Sequence, residues 1–193
     1  MKIKIILFLV VSNILFSQNN LDDLIKYYAK FNSYSMSFEI VNNKNNILNK
    51  GKIFFSKNKF KILMDDLLLI YDGIKYYTII EENQEINVSK ENEITKLIVP
   101  TNIISLIKNN IENIKLIQNS EYLEFDYKHD FRSNYIIQFS NDNKISTIKH
   151  LVNEKLYNEI VFTDINFDLE IEKKNFEFNQ DDYPGYYLNK LWK

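Results

Sequence analysis

Apolar residues recur along this chain with two periods, and the switch between them divides it into elements. Leu21, Leu24, Ile25, Tyr28 and Phe31 lie three and four apart, the stripe of one short amphipathic helix. Asn20 stands where a cap is wanted, and Asp22 and Asp23 complement the positive end of the helix dipole. From Tyr34 the period becomes two. Tyr34, Met36, Phe38 and Ile40 alternate with Ser35, Ser37 and Glu39, as in a strand with one apolar face. A polar turn over 42–46 leads into a strand through Ile53 and Phe55. Phe60, Ile62 and Met64 then alternate with Lys59 and Lys61, and Leu67 to Tyr71 forms a further short strand. Asp72-Gly73 is the strongest hairpin signal, since Gly accepts positive φ and Asp favours the turn. Ile74 to Ile80 pairs across it, and Glu81 to Gln84 turns the chain again before Ile86 and Val88.

The alternation breaks between Glu91 and Lys115. Pro100 punctuates, Thr101 or Asn102 is placed to cap, and Ile103, Ile104, Leu106, Ile107 and Ile111 return to helical spacing. Strands then resume at Leu123 and Phe125, at Tyr135, Ile137 and Phe139, at Ile145 to Leu151, and at Leu156, Ile160 and Phe162. Phe176-Glu177-Phe178 to Tyr183-Pro184-Gly185-Tyr186 reads as an irregular tail packed back on the body. The pattern predicts roughly ten strands in a meander of hairpins, with one helix before them and one inserted. The fold class is mainly β with helices (α+β). Its expected form is a curled antiparallel sheet or incomplete barrel, with the helices across the concave face. Alternation points Met36, Phe38, Ile40, Phe60, Ile62, Met64, Leu123, Phe125, Ile137, Phe139, Ile160 and Phe162 to that face, beneath Ile103, Ile104, Leu106 and Ile107. The facing of Leu67 to Leu69 and Ile145 to Leu151 stays open, because a slip of one residue turns a strand over.

Length and composition narrow the class. At 193 residues the chain fits one domain, and 45% hydrophobic with 26% charged residues is globular. Three Gly and two Pro exclude collagen-like, linker-rich and Gly-loop nucleotide-binding designs. Cys is absent, which removes disulfides, thiolate metal sites and a Cys nucleophile. A net charge of −2 offers no counterion-release drive toward nucleic acid.

Met1 to Gln18 has the form of a secretory signal: Lys2 and Lys4, the apolar run Ile5 to Val11, then Ser12-Asn13. A cut near Ser17/Gln18 leaves small Ser17 at the final position, although Leu15 is larger than usual there. The run is shorter than the roughly 20 residues a bilayer needs. Residues 1–17 are therefore expected to be a signal peptide and 18–193 one exported, periplasmic domain. Loss of the two lysines takes its formal charge from −2 to −4.

Catalytic constellations are missing from this pattern. His129 lies in a polar turn, and His150 reads as a surface histidine on a strand. Asp65-Asp66 and Asp181-Asp182 lack the interleaved oxygens of a calcium loop, and no serine stands in a Gly-x-Ser-x-Gly elbow. The expectation is a protein that is no enzyme, with no metal and no cofactor. Whether the concave face is packed core or ligand space is left open by composition. The short apolar helix around Ile103 to Ile111, flanked by loops, suits a movable lid.

Several motifs in order resemble the LolA-type family of periplasmic lipoprotein carriers, in its Bacteroidetes form. They are the opening helix, Ser37-Phe38-Glu39-Ile40, Gly51-Lys52-Ile53-Phe54-Phe55, and the basic-aromatic Lys59-Phe60-Lys61. Asp72-Gly73 then leads to Lys75-Tyr76-Tyr77, and the chain closes with Phe176-Glu177-Phe178 and Tyr183-Pro184-Gly185-Tyr186. The family commonly has an aromatic pair containing Trp where Tyr76-Tyr77 stands. The resemblance implies an incomplete barrel with a helical lid over a hydrophobic cavity lined by the twelve residues above. It implies a monomeric carrier that takes acylated lipoproteins from an inner-membrane ABC transporter and delivers them to an acceptor at the outer membrane. The family's best-known members latch the lid with an arginine; the matching position is Lys57, a point charge without the guanidinium fork. Two other readings stay beside it. One is a binding module of the same fold for another lipid or hydrophobic ligand; the other is a structural or sensory domain with a filled core.

Overall fold

A computed structural model describes residues 21–90, 95, 98–118, 122–129 and 132–191; the signal segment, its cleavage point and the Asn20 cap lie outside them. The opening helix, α1, runs over 21–29. Strands β1 (Ser33–Asn42), β2 (Ile47–Ser56), β3 (Lys59–Met64), β4 (Leu67–Tyr71), β5 (Tyr76–Ile80) and β6 (Glu85–Ser89) follow as a meander. After α2 (Pro100–Asn109) come β7 (Ile114–Gln118), β8 (Tyr122–Lys128), β9 (Ser133–Ser140), β10 (Ile145–Val152) and β11 (Lys155–Phe167). A short β12 (Tyr187–Lys190) ends the series.

All twelve strands join one curled, unclosed sheet in the order β12-β6-β5-β4-β3-β2-β1-β11-β10-β9-β8-β7. Every pairing is antiparallel except β12 on β6. The two strands beyond the expected ten are β7 and β12. Both are short edge strands, and β12 is held by ladder bonds to β6 more than by an apolar pattern of its own.

Topology decides where the helices go. β6 lies near one edge and β7 is the other edge, so the chain between them must cross a whole face, and α2 sits in that crossing. The segment over 168–186 leaves the centre at β11 and reaches β12 at the far edge, crossing on the opposite face. The long strands β1 and β11, paired from Tyr34↔Phe167 to Asn42↔Asn158, join the two halves of the sheet.

Bulges settle the faces that alternation left open. A register shift between Ile145 and Thr147 lets Ile145 and Ile148, three apart, both point into the core. In β4 it is Leu69 that faces the concave core, with Leu67 packed beside it, while Leu68 and Ile70 face outward. A further shift in the β1–β11 pairing falls beside Asp164, whose φ of 50° is left-handed, and bends the long strand.

Two local expectations change. Neither Thr101 nor Asn102 caps α2. Val99 holds the cap position without a side-chain bond and Pro100 opens the helix, where its missing N–H and fixed φ cost nothing. The Asn102 amide donates instead to the Thr95 carbonyl at 3.2 Å. Asp72-Gly73 belongs to a four-residue loop rather than a two-residue one. Asp72 Oδ1 accepts from the Ile74 and Lys75 N–H groups at 2.8 and 2.9 Å, and Gly73 takes φ 99°.

Candidate functional site: the helix-covered concave face

The register places apolar residues in continuous rows across the concave face. One row runs through Leu116, Phe125, Ile137, Ile148, Ile160 and Ile40, directly paired across β7, β8, β9, β10, β11 and β1. A second runs through Met36, Ile53, Ile62 and Leu69 in the other half. A third is aromatic: Tyr34, Phe55, Phe60, Tyr71 and Tyr76. Tyr34 stacks on Phe55 at 4.6 Å and Tyr71 on Tyr76 at 4.4 Å between ring centroids. Such rows make the face one broad apolar surface.

The twelve residues expected on this face are all brought together. Met36, Phe38, Phe60, Ile62, Leu123, Phe125, Ile137, Phe139, Ile160 and Phe162 are buried in a single cluster, and half-buried Ile40 and Met64 pack against it. Phe38 lies over Gly51: a Cβ there would come within 2.3 Å of the ring and 2.6 Å of the Leu63 carbonyl oxygen. The glycine is needed because the ring occupies its side-chain space.

The helices cover this surface with their own apolar faces. Leu21, Leu24 and Tyr28 come from α1, and Ile103, Ile104 and Ile107 from α2, with Ile98 and Val99 leading into it. Leu106, the fourth residue expected in the cover, is half-buried and stands outside that cluster, because the contact stripe runs along 99, 103, 104, 107 and 111. Tyr28, Ile53, Phe55, Leu69, Ile145 and Ile148 join the face beyond the expected residues. The alternation of Ile53 with Phe55 carried that signal; the bulge hid the last two.

Side-chain hydrogen bonds between the helix segments and the sheet include the Ile145 N–H to the Tyr28 hydroxyl at 3.1 Å and the Tyr127 hydroxyl to the Asn110 side chain at 3.3 Å. Burial drives the Tyr28 phenol far above its ordinary pKa, so it stays neutral. Tyr34 is fully buried and raised by the same cause, with Thr101 of α2 as its polar neighbour. Its hydroxyl makes no hydrogen bond of normal geometry.

Lys57 occupies the β2–β3 turn with φ 59°, its N–H donating to the Asn32 carbonyl at 2.8 Å. Its exposed side chain makes no hydrogen bond or ion pair among the described residues. It does border a groove of about 460 Å³ between α1 and α2. Ile25, Tyr28, Ala29, Phe31, Phe55 and Ile104 supply the apolar lining, and Asn32, Thr101, Ser105, Lys57 and Lys108 the polar part. A larger cleft of about 800 Å³ elsewhere is lined by charges of both signs, among them Glu112, Lys115, Asp126 and Lys128.

His129 is exposed, as a polar turn implies, whereas His150 is more embedded than the pattern indicated. His150 is half-buried, stacks on Tyr135 at 4.6 Å, and brings Nε2 within 2.8 Å of the Ser133 hydroxyl. Its row continues through Tyr135 to Tyr127, an aromatic rim at the end of the trough opposite Tyr34. Among the described residues no group of three or more His, Asp or Glu is placed to hold a metal ion. No helix among them is long and apolar enough to cross a membrane.

No family model and no curated protein sequence matches this chain. Solved structures do. An uncharacterized conserved protein from Thermus thermophilus superposes with a TM-score of 0.61 at 4% identity, covering 88% of this chain and 98% of that one. A DUF1329 family protein from Desulfovibrio piger gives a TM-score of 0.44 at 11% identity, over 86% of this chain and 97% of its own. The first likeness is one of fold.

Proposed function

We propose that this chain is a periplasmic carrier of the LolA-like kind. It would shield the acyl chains of lipoproteins on its concave face and move them, without covalent chemistry, from an inner-membrane ABC transporter to the outer membrane. One observation carries the reading: a broad apolar face is covered by helices that apolar packing, rather than a backbone ladder, holds in place. Apolar attraction is non-directional and scales with area, so a fatty chain can replace a helix side chain as the cover.

Each CH₂ left in water costs about 0.8 kcal/mol, so acyl chains must be covered in transit. A covering helix that re-docks when the chains leave lowers the net affinity by its own packing energy and permits release. On this reading the described arrangement is the closed, empty state, α2 is the lid, and the cavity forms as α2 lifts. Lys57 then contributes no latch, and retention of the closed state rests on Ile103, Ile104 and Ile107.

The test is transfer. The purified protein, supplied with transporter-bearing membranes, ATP and radiolabelled lipoprotein, is expected to yield a soluble complex; no soluble complex overturns the proposal. The second reading, a module for another lipid, is favoured by the two cations at the helix groove, which a neutral lipoprotein anchor does not need. Native mass spectrometry of the protein taken from its own periplasm separates the two by the mass of what it carries.

A further inference from the structure

The groove between α1 and α2 differs in chemistry from the face it leads to. Its lining is apolar and shares Tyr28, Phe55 and Ile104 with the main core, so a chain lying in it would touch that core directly. Its rim carries Lys57 and Lys108, with hydroxyls from Thr101 and Ser105. No acidic side chain lines it, and among the described residues neither ammonium is in an ion pair. The Ser105 hydroxyl is already turned onto the Thr101 carbonyl at 2.9 Å, which leaves the lysines as the groove's cationic donors. At about 460 Å³ its size is that of a small-ligand site.

Apolar floor and doubly cationic rim complement a molecule with a long hydrocarbon tail and one anionic head. We propose that this groove binds a single-chain fatty carboxylate, the tail lying on Tyr28, Phe55 and Ile104 and the carboxylate facing Lys57 and Lys108. This rests on the lipid-binding reading in its broad form only and does not require the transporter. Lys57 enters by its place in a tight left-handed turn, which fixes its backbone at the rim of the groove.

The probe is cis-parinaric acid, whose fluorescence rises in apolar surroundings, titrated against its methyl ester. The acid is expected to bind roughly tenfold more tightly than the ester, a preference that shrinks with added salt because the cations are exposed. K57Q with K108Q should remove the preference while leaving ester binding unchanged. S105W, placed at an exposed wall of the groove, should weaken both ligands. Equal binding of acid and ester, a preference that survives the double lysine change, or S105W without effect would each overturn the assignment. Lipoprotein transfer run on the same K57Q/K108Q protein separates the two ideas. Transfer retained with acid preference lost supports both, whereas transfer absent from every form beside normal acid binding overturns only the carrier reading.

Discussion

The sheet carries apolar clusters on both faces, and the two are covered by different means. On the concave side α1 and α2 lie over a surface built from eight or more strands, and their grip is side-chain packing with scattered side-chain hydrogen bonds and no backbone ladder among those described. On the convex side Ile70, Ile79, Ile86 and Val88 sit under Phe178, Tyr183, Tyr186 and Leu188. That cover is anchored by a parallel ladder: Tyr187 N–H donates to the Gln84 carbonyl at 2.8 Å and Leu191 N–H to the Val88 carbonyl at 2.9 Å. Rings add to it, Tyr77 stacking on Phe178 at 4.4 Å. A ladder can be replaced only by another strand of the right register, while packing can be replaced by any apolar chain. On the proposed carrier reading, the concave cover is the exchangeable one.

Truncating one aromatic ring on each face should produce the largest difference. Phe139→Ala, fully buried on the concave face, is expected to cost about 3–5 kcal/mol in chemical denaturation. Phe178→Ala, half-buried on the other side, should cost about 2 kcal/mol, from its stacking on Tyr77 together with the area it covers. Equal losses would mean the convex patch is as structural as the main core. Next in size is Ile104→Asp. An unpaired charge in a fixed core costs about 3–5 kcal/mol, but a helix that can lift limits the loss to about 2–3 kcal/mol. Far-UV circular dichroism should keep its strand signal while binding of a polarity-sensitive dye rises; global unfolding would make α2 a permanent part of the core.

Gly51→Ala tests the floor itself. With a Cβ only 2.3 Å from the Phe38 ring and 2.6 Å from a backbone oxygen, a thermal melt should show about 1–3 kcal/mol of destabilisation. A neutral result would show that Phe38 moves freely. The smallest effect belongs to Ile62→Leu, a volume-conserving change expected to cost under about 1.5 kcal/mol. Ligand release should change more than stability does, as read by off-rates from a bound fluorescent lipid. Phe38→Leu should cost more than Ile62→Leu, since only the aromatic ring fills the space above Gly51.

Much of this was legible in the chain. Clean alternation at Met36 to Ile40, Phe60 to Met64 and Leu123 to Phe125 placed each residue on its correct face, because a period of two leaves no choice once one face is buried. The helical stripe of Ile103, Ile104 and Ile107 likewise named the side of α2 that packs down. Failures came where the period is interrupted. The bulge before Thr147 put Ile145 and Ile148 on one face, β7 and β12 are edge strands with too little pattern to stand out, and Leu106 fell off the stripe by rotation alone.

The local alphabet is written in the chain: which segments are strands, which are helices, and which side of each is apolar follow from side-chain spacing over a few residues. Long-range folding, by contrast, makes the link from β6 to β7 cross the concave face and the tail cross the other. It also decides that Lys57, distant in sequence from Lys108, shares a groove with it. Those outcomes depend on strand order, and strand order is set by pairings such as β1 with β11 between residues more than a hundred positions apart, which no short-range pattern encodes.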